Sequence, residues 1–107
     1  MQTNESESVW TKPMKLRKEV GKFTDIPNVG PATAKDFAVL GLETPQELAG
    51  KDPYQLHKDL CRITKIKHDP CVIDVFIAAV RYMEGGPPKK WWEFTAERKR
   101  KLALLKK

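Results

Sequence analysis

Apolar residues recur every three or four positions along most of this chain, which is the spacing of one face of an α-helix. Leu16, Val20 and Phe23 follow this spacing in a first segment, and Phe37 and Leu40 follow it in a second. No segment carries a convincing strand pattern. The pattern therefore predicts an all-α fold, a compact helical domain.

Local start and stop signals divide the pattern into six predicted helices. A Thr-Pro-Gln-Glu capping box opens the third helix, and Asp-Pro pairs open the fourth and the fifth. Gly41 fits a left-handed stop after the second helix, and Thr95 is the expected cap of the sixth. The predicted helices cover residues 12–23, 31–40, 44–49, 52–64, 71–83 and 96–105.

The predicted core lies on the fourth and fifth helices. Residues 71–80 are apolar almost all round, which is typical of a buried central helix. On the preceding helix, Leu56, Leu60 and Ile63 share one face, and Cys61 lies beside them.

A tight hairpin separates the first two predicted helices. Pro27 fixes its own φ and disfavours a helical conformation at the residue before it. Asn28 and Gly30 tolerate positive φ, and Pro31 suits the first position of a new helix. The local sequence therefore predicts helix, hairpin and helix in succession.

The chemistry that such a hairpin offers is anion binding. The new helix begins with N–H groups that have no intrahelical partner, and its dipole adds partial positive charge there. Gly30 has no side chain to cover those donors, and Lys35 lies one turn further on. A phosphate group is therefore the expected ligand.

The sequence Ile-Pro-Asn-Val-Gly-Pro-Ala-Thr-Ala-Lys at residues 26–35 resembles the helix-hairpin-helix DNA-binding motif. The resemblance implies a grip on the DNA backbone through hairpin amides, without reading of base sequence. Most such motifs have Gly at the position of Asn28, whose side chain is expected to crowd the phosphate. The phosphate contacts implied by the resemblance are Asn28, Val29, Gly30, Ala32, Thr33 and Lys35.

The resemblance also implies a monovalent cation, and no other cofactor. In similar motifs, hairpin carbonyl groups hold K⁺ or Na⁺, which bridges to a DNA phosphate. The matching carbonyl groups in this chain belong to Thr24, Ile26 and Val29.

A second, degenerate hairpin is predicted between the fourth and fifth helices. Ile63 and Ile66 repeat the three-residue spacing of the two apolar residues of the first hairpin. Lys65 and Lys67 stand where glycines would be expected, so this hairpin either contacts phosphate through side chains or is purely structural.

Positive charge is concentrated at the C-terminal end. The net charge is +6 at pH 7, and residues 89–107 carry eight Lys and Arg against two Glu, whereas residues 1–88 are neutral overall. A basic tail indicates nucleic acid or, equally, a solvated helix face. The secondary basic contacts predicted on this ground are Lys65, Lys67, Lys89, Lys90 and Arg98.

The aromatic residues of this tail allow two functions. Trp91, Trp92 and Phe94 follow two lysines, and such a group can stack on bases as in single-strand binders. They can equally anchor the tail on the domain, and burial of a large apolar area favours this anchoring. Trp91 and Trp92 are also the expected surface for a protein partner or a homodimer.

Histidine and cysteine residues raise two further alternatives. His57, Cys61, His68 and Cys71 are four candidate zinc ligands, but their spacing matches no common zinc pattern, which favours ordinary core thiols. Cys71 lies near a predicted helix N-terminus, which would lower its pKa as in a nucleophile, although no base is assigned by spacing.

Composition predicts a cellular compartment and a division of the chain into three parts. No run approaches the roughly 18 apolar residues of a membrane span, and the acidic N-terminus lacks a signal-peptide core, so a cytoplasmic protein with no membrane partner is expected. Three parts are predicted: a disordered N-terminus at 1–11, in which Trp10 docks on the domain; a helix-hairpin-helix domain at 12–88; and a Trp-containing basic tail with a C-terminal helix at 89–107.

Over residues 20–100 the chain resembles the bacterial Cdd1, or pathogenicity-locus, family, some of whose members are labelled mitomycin resistance proteins. The resemblance rests on Asp-Ile-Pro-Asn-Val-Gly at 25–30, Leu-Gly-Leu at 40–42, Asp-Pro-Tyr-Gln-Leu at 52–56, Asp-Pro-Cys-Val at 69–72 and the segment 91–99. The family label implies an all-α helix-hairpin-helix fold in a bacterial cytoplasm and little about activity.

The sequence therefore predicts a small, non-enzymatic protein that binds DNA without sequence specificity. The alternative is a helical protein–protein interaction module that docks through its Trp-rich basic tail.

Overall fold

The computed structural model describes residues 16–105, and within that range the regular elements are all helical. Four α-helices are α1 (Pro31–Val39), α2 (Pro53–Thr64), α3 (Cys71–Met83) and α4 (Thr95–Leu105). Three short 3₁₀ turns lie at Phe23–Asp25, Pro45–Leu48 and Trp91–Phe94. The predicted all-α class is confirmed. The expected disorder at 1–11 and the docking of Trp10 lie outside the described residues.

Helix α3 is the centre of the fold, as its nearly uniform hydrophobicity predicts. One side of α3 joins the main core, in which Phe76 packs 5.2 Å from Phe37 of α1, measured between ring centroids. Another side forms a smaller cluster, in which Ile73 and Ile77 pack with Phe94. A helix that faces two clusters needs apolar residues around most of its circumference.

Capping chemistry sets the start of α2 and the end of α1 where the sequence predicts them. The Asp52 carboxylate accepts hydrogen bonds from two backbone N–H groups at the start of α2. Helix α1 ends with Gly41 at φ 87°, and the Leu42 N–H donates to the Phe37 carbonyl at 3.0 Å. This pair of features is the Schellman stop, and Leu42 is buried as its hydrophobic contact.

The first predicted helix is wrong over its described part. Residues 16–22 form turns and extended backbone, followed by a single 3₁₀ turn, whereas residues 12–15 lie outside the described range. Distant side chains hold this segment: the Gln46 amide donates to the carbonyls of Arg17 (3.0 Å) and Val20 (2.8 Å). The Arg17 guanidinium in turn donates to the Tyr82 and Gly86 carbonyls. The Arg17 carbonyl, which a helix over 12–23 would have paired internally, is thus bound by a side chain from a distant part of the chain.

The predicted apolar face of α2 is correct in its middle and wrong at its end. Leu56 and Leu60 are buried, and Cys61 is partly buried. Ile63 is 44% exposed because it lies in the last turn of α2, beyond the main core.

The C-terminal tail packs back on α3. Phe94 is buried, which confirms the anchoring prediction for this residue, and the α3 residue Asp74 is fully buried beneath the tail. Asp74 accepts hydrogen bonds from Thr95 Oγ1 (2.7 Å) and Arg98 Nε (2.9 Å). Thr95 is therefore the first residue of α4 and binds Asp74, rather than acting as the predicted cap.

Candidate nucleic-acid interface

The predicted hairpin forms a tight turn whose apolar residues point inward. Ile26 and Val29 are almost fully buried, and the Val29 N–H donates to the Ile26 carbonyl at 3.1 Å. Asn28 has φ 74°, which confirms that Asn takes the backbone conformation usually given to Gly here. Because its N–H is used within the turn and its side chain is buried, Val29 supports the hairpin more than it presents a contact.

The N-terminus of α1 follows the turn directly and faces outward. The first helical hydrogen bond runs from the Ala34 N–H to the Gly30 carbonyl at 2.9 Å, and no side chain caps this end. The Ala32 and Thr33 N–H groups precede that bond, so they have no partner within the helix. Lys35 is exposed one turn further on.

Gly30 leaves the space before α1 open and is not needed for the backbone conformation. Its φ is −96°, an ordinary value for any residue, and a Cβ built on it would meet no atom within 4 Å. A side chain at residue 30 would therefore fit the fold and would stand in the space in front of the α1 amides.

The Asn28 side chain forms a bidentate clasp with the C-terminal tail. Its Nδ2 donates to the Lys89 carbonyl at 2.6 Å, and its Oδ1 accepts from the Trp91 N–H at 3.2 Å. The amide is thus turned toward the tail. Sequence reasoning missed this clasp because it joins residues about sixty positions apart.

The clasp brings two predicted basic residues to the hairpin. Lys89 and Lys90 are exposed and line a hollow of about 360 Å³ together with Pro27, Asn28 and Glu93. Positive charge from the tail therefore lies beside the turn that precedes α1.

Lys65 and Lys67 lie in the loop between α2 and α3 and are both exposed. Lys65 takes a left-handed conformation at φ 60°, in the place where Gly was expected. Partial burial raises the pKa of the α1 residue Asp36, and the electrostatic effects of the loop residue His68 and of Lys35 act in the opposite direction. The α2–α3 loop therefore lies near enough to α1 to influence the electrostatics of Asp36.

The second predicted hairpin differs from the first in its packing. Ile63 and Ile66 are 44% and 58% exposed, so they lack the burial of Ile26 and Val29, whose places in the hairpin they were predicted to take. Polar contacts hold this loop instead: the His68 N–H donates to Cys61 Sγ at 3.3 Å, and His68 Nε2 lies 2.9 Å from Thr64 Oγ1.

The alternative roles of histidine and cysteine residues receive no geometric support. Within residues 16–105, no three side chains among His, Cys, Asp and Glu are grouped so that they could hold a metal ion. His57 Nε2 lies 3.0 Å from the His68 carbonyl oxygen. The Asp69 carboxylate raises the pKa of the Cys71 thiol, so the predicted lowering of that pKa is wrong.

Arg98 is not the accessible basic contact that the sequence suggests. Its guanidinium is about 9% exposed and donates to both carboxylate oxygens of Asp74, at 2.9 and 3.3 Å. The Asp74 hydrogen bond is the main cause that raises the pKa of Arg98. This arginine is a structural partner of α3 because an apolar helix with a buried carboxylate needs a compensating cation.

The two tryptophans differ in exposure. Trp91 is partly buried, whereas Trp92 is 57% exposed.

None of the helices in the described part of the chain has the length and hydrophobicity needed to cross a lipid bilayer.

The fold and the hairpin thus define the class of this protein: it is all-helical, and it presents a tight turn directly before the N-terminus of a helix. It belongs to the Cdd1 family, described as a pathogenicity locus, whose match covers residues 16–100. A curated relative, mitomycin resistance protein McrB of Streptomyces lavendulae, is 36% identical over 81 residues, or 76% of this chain and 77% of the relative. The resemblance noted in the sequence is confirmed. No solved structure matches the chain.

Proposed function

We propose that this protein binds the sugar–phosphate backbone of DNA without reading base sequence and without catalysing a reaction. The observation that carries the proposal is the Asn28 clasp, which joins Lys89 and Lys90 to the hairpin before the uncapped N-terminus of α1. Backbone donors at a helix N-terminus and ammonium groups beside the preceding turn are the two elements of a phosphate grip.

The hairpin supplies directed hydrogen bonds. The Ala32 and Thr33 N–H groups lie at the positive end of the α1 dipole, and the exposed Gly30 leaves the space before them clear. A phosphate oxygen in that space would complete the hydrogen bonding of the helix end. Lys35 would neutralise the same phosphate or its neighbour.

Other groups extend the proposed contact. Lys65 and Lys67 would add screened attraction from the α2–α3 loop. A K⁺ or Na⁺ ion at the carbonyl groups of Thr24, Ile26 and Val29 would bridge the turn to a phosphate, as in helix-hairpin-helix motifs. The proposed compartment is a bacterial cytoplasm, and the relative from Streptomyces lavendulae supports the bacterial part of this proposal.

The experiment is fluorescence anisotropy of a labelled duplex at low and near-physiological salt. Neutralisation of about four phosphates predicts roughly 150-fold weaker binding at 200 mM than at 50 mM salt. The double variant Gly30→Val/Lys35→Glu blocks the α1 amides and reverses one charge while it leaves the tail intact. We expect it to lose most of the affinity and to show a smaller salt dependence.

The matched control is Lys51→Glu, the same charge reversal at an exposed lysine that lines a different hollow with Pro53 and Ile77. It should bind nearly as the unaltered protein does. Equal binding by all three proteins would make the tail a nonspecific polycation and would refute the hairpin as the site. Absence of binding by the unaltered protein would refute the DNA proposal itself.

A second candidate is a protein–protein interaction module, which the exposure of Trp92 favours. Apolar docking depends little on ionic strength, so association of the protein with itself at high salt, without DNA, would support it. Sedimentation analysis at two salt concentrations distinguishes the two functions.

A further inference from the structure

Trp92 is the most exposed aromatic side chain among residues 16–105, at 57%. Its ring nevertheless has a defined position, because it lies edge-on to Trp91 with 5.6 Å between ring centroids. The next apolar residue of the same 3₁₀ turn, Phe94, is buried against α3. Trp92 therefore presents a flat, exposed apolar ring on a 3₁₀ turn that packs against α3 through Phe94.

Lys90 connects this ring to the hairpin. Its Nζ lies 6.0 Å from the centroid of the Trp92 ring, and its neighbours Lys89 and Trp91 are the two residues that Asn28 holds. Lys90 also lines the hollow beside Asn28 and Pro27. The Lys90 side chain thus lies close both to an exposed aromatic ring and to the hollow beside the hairpin turn.

An exposed aromatic face with adjacent cations matches the chemistry of a nucleotide. The base can stack on the indole, and the phosphate of the same nucleotide can meet the ammonium group. Inside a duplex both faces of a base are covered by its stacked neighbours, and only a terminal pair leaves one face open. A base that stacks on Trp92 away from a duplex end must therefore be unpaired.

We infer that Trp92, Lys90 and Lys89 form a subsite for an unpaired nucleotide beside the hairpin, and that the preferred ligand is DNA with a single-stranded extension next to a duplex. This inference rests on the proposed function, because the hairpin holds the backbone from which the unpaired nucleotide extends. The negative charge of the strand complements Lys89 and Lys90, which outnumber the single carboxylate, Glu93, in the hollow that they line.

The test compares a blunt duplex with the same duplex carrying a short single-stranded extension, by anisotropy at one salt concentration. Stacking of one base predicts about tenfold tighter binding of the extended DNA. Trp92→Ala should abolish this preference and leave the affinity for blunt duplex unchanged. Trp92→Phe should retain part of the preference because it keeps a stacking face.

Leu104→Ala is the matched control, since Leu104 is an apolar residue of α4 that is 63% exposed. It should keep the preference in full. Equal affinity of the unaltered protein for both DNAs would overturn this inference and leave the backbone grip standing. Binding to the extended DNA alone would refute the duplex grip and, with it, the inference that the subsite acts beside the hairpin. If Trp92→Ala changed self-association but not the DNA preference, the indole would belong to a protein interface and the inference would fail.

Discussion

At the scale of single residues, Asn28 has two roles that are separable by substitution. Its backbone occupies a left-handed position that Gly would take without strain, and its amide holds the tail through two hydrogen bonds. The first role shapes the hairpin, whereas the second brings lysines to it.

Asn28→Gly should keep the turn and release residues 89–91. We expect a loss of about 1 kcal/mol in the free energy of unfolding, because two hydrogen bonds near solvent are only partly replaced by water. Hydrogen exchange of the Trp91 amide, whose partner is lost, should become faster.

Asn28→Asp is the companion variant, since it keeps an acceptor for the Trp91 N–H and loses the donor to the Lys89 carbonyl. It should preserve more of the Trp91 protection than Gly does. Unchanged exchange in Asn28→Gly would contradict the clasp.

At the scale of elements, α1 is bounded by two glycines with different requirements. Gly30 before the helix has φ −96° and space for a side chain, whereas Gly41 after it has φ 87°. Only the second position imposes a conformation that L side chains rarely adopt.

Gly41→Ala should therefore lower the free energy of unfolding by about 1–2 kcal/mol, through strain in the left-handed region. Gly30→Ala should cost less, about 0.5 kcal/mol, because Ala is a poorer N-cap residue than Gly while it also reduces the freedom of the unfolded chain. Urea denaturation of both variants measures the difference. Equal losses would show that Gly30 is structural, which would weaken its use in the DNA-binding test.

The elements also show what sequence could predict. Helices α1, α2 and α3 were predictable because their caps and periodicity are local, within a few residues of each helix end. The segment 16–22 was not, because Gln46 and the carbonyl of Tyr82 hold it from distant parts of the chain. Local apolar spacing at Leu16, Val20 and Phe23 contains no information about those partners.

The candidate site likewise has one part that the local sequence predicts and another that depends on tertiary contacts. The turn, Gly30 and the start of α1 follow from residues 26–35 alone. The arrival of Lys89 and Lys90 at the hairpin depends on a tertiary contact, as does the burial of Arg98 against Asp74. The local sequence does not distinguish an exposed arginine from a buried one. The prediction from net charge therefore counted Arg98 among the accessible basic residues.

At the scale of the whole molecule, the tail is an integral part of the fold. Its attachment depends on the buried carboxylate of Asp74, which accepts hydrogen bonds from Thr95 and Arg98. Lys89 and Lys90 precede Thr95 in the chain, and the buried Phe94 lies between these lysines and the residues that bind Asp74. The position of the lysines at the hairpin therefore depends on a buried ion pair as well as on the Asn28 clasp.

Asp74→Asn should lower the free energy of unfolding by about 3–5 kcal/mol, because it leaves the Arg98 charge buried without its counter-charge. The double variant Asp74→Leu/Arg98→Met removes both charges and should recover most of this loss. Urea denaturation, which does not screen charge, is the appropriate measurement. A mild effect of the single variant, or an equal loss in the double variant, would contradict the buried pair.

The central claim is that the hairpin face and the clasped tail together contact DNA. The most direct measurement is an NMR titration of the isotope-labelled protein with a short duplex, which follows every backbone amide at once. The account predicts the largest shifts at Gly30, Ala32 and Thr33, with smaller shifts at residues 89–91. Shifts confined to α4, with the α1 amides unmoved, would contradict it.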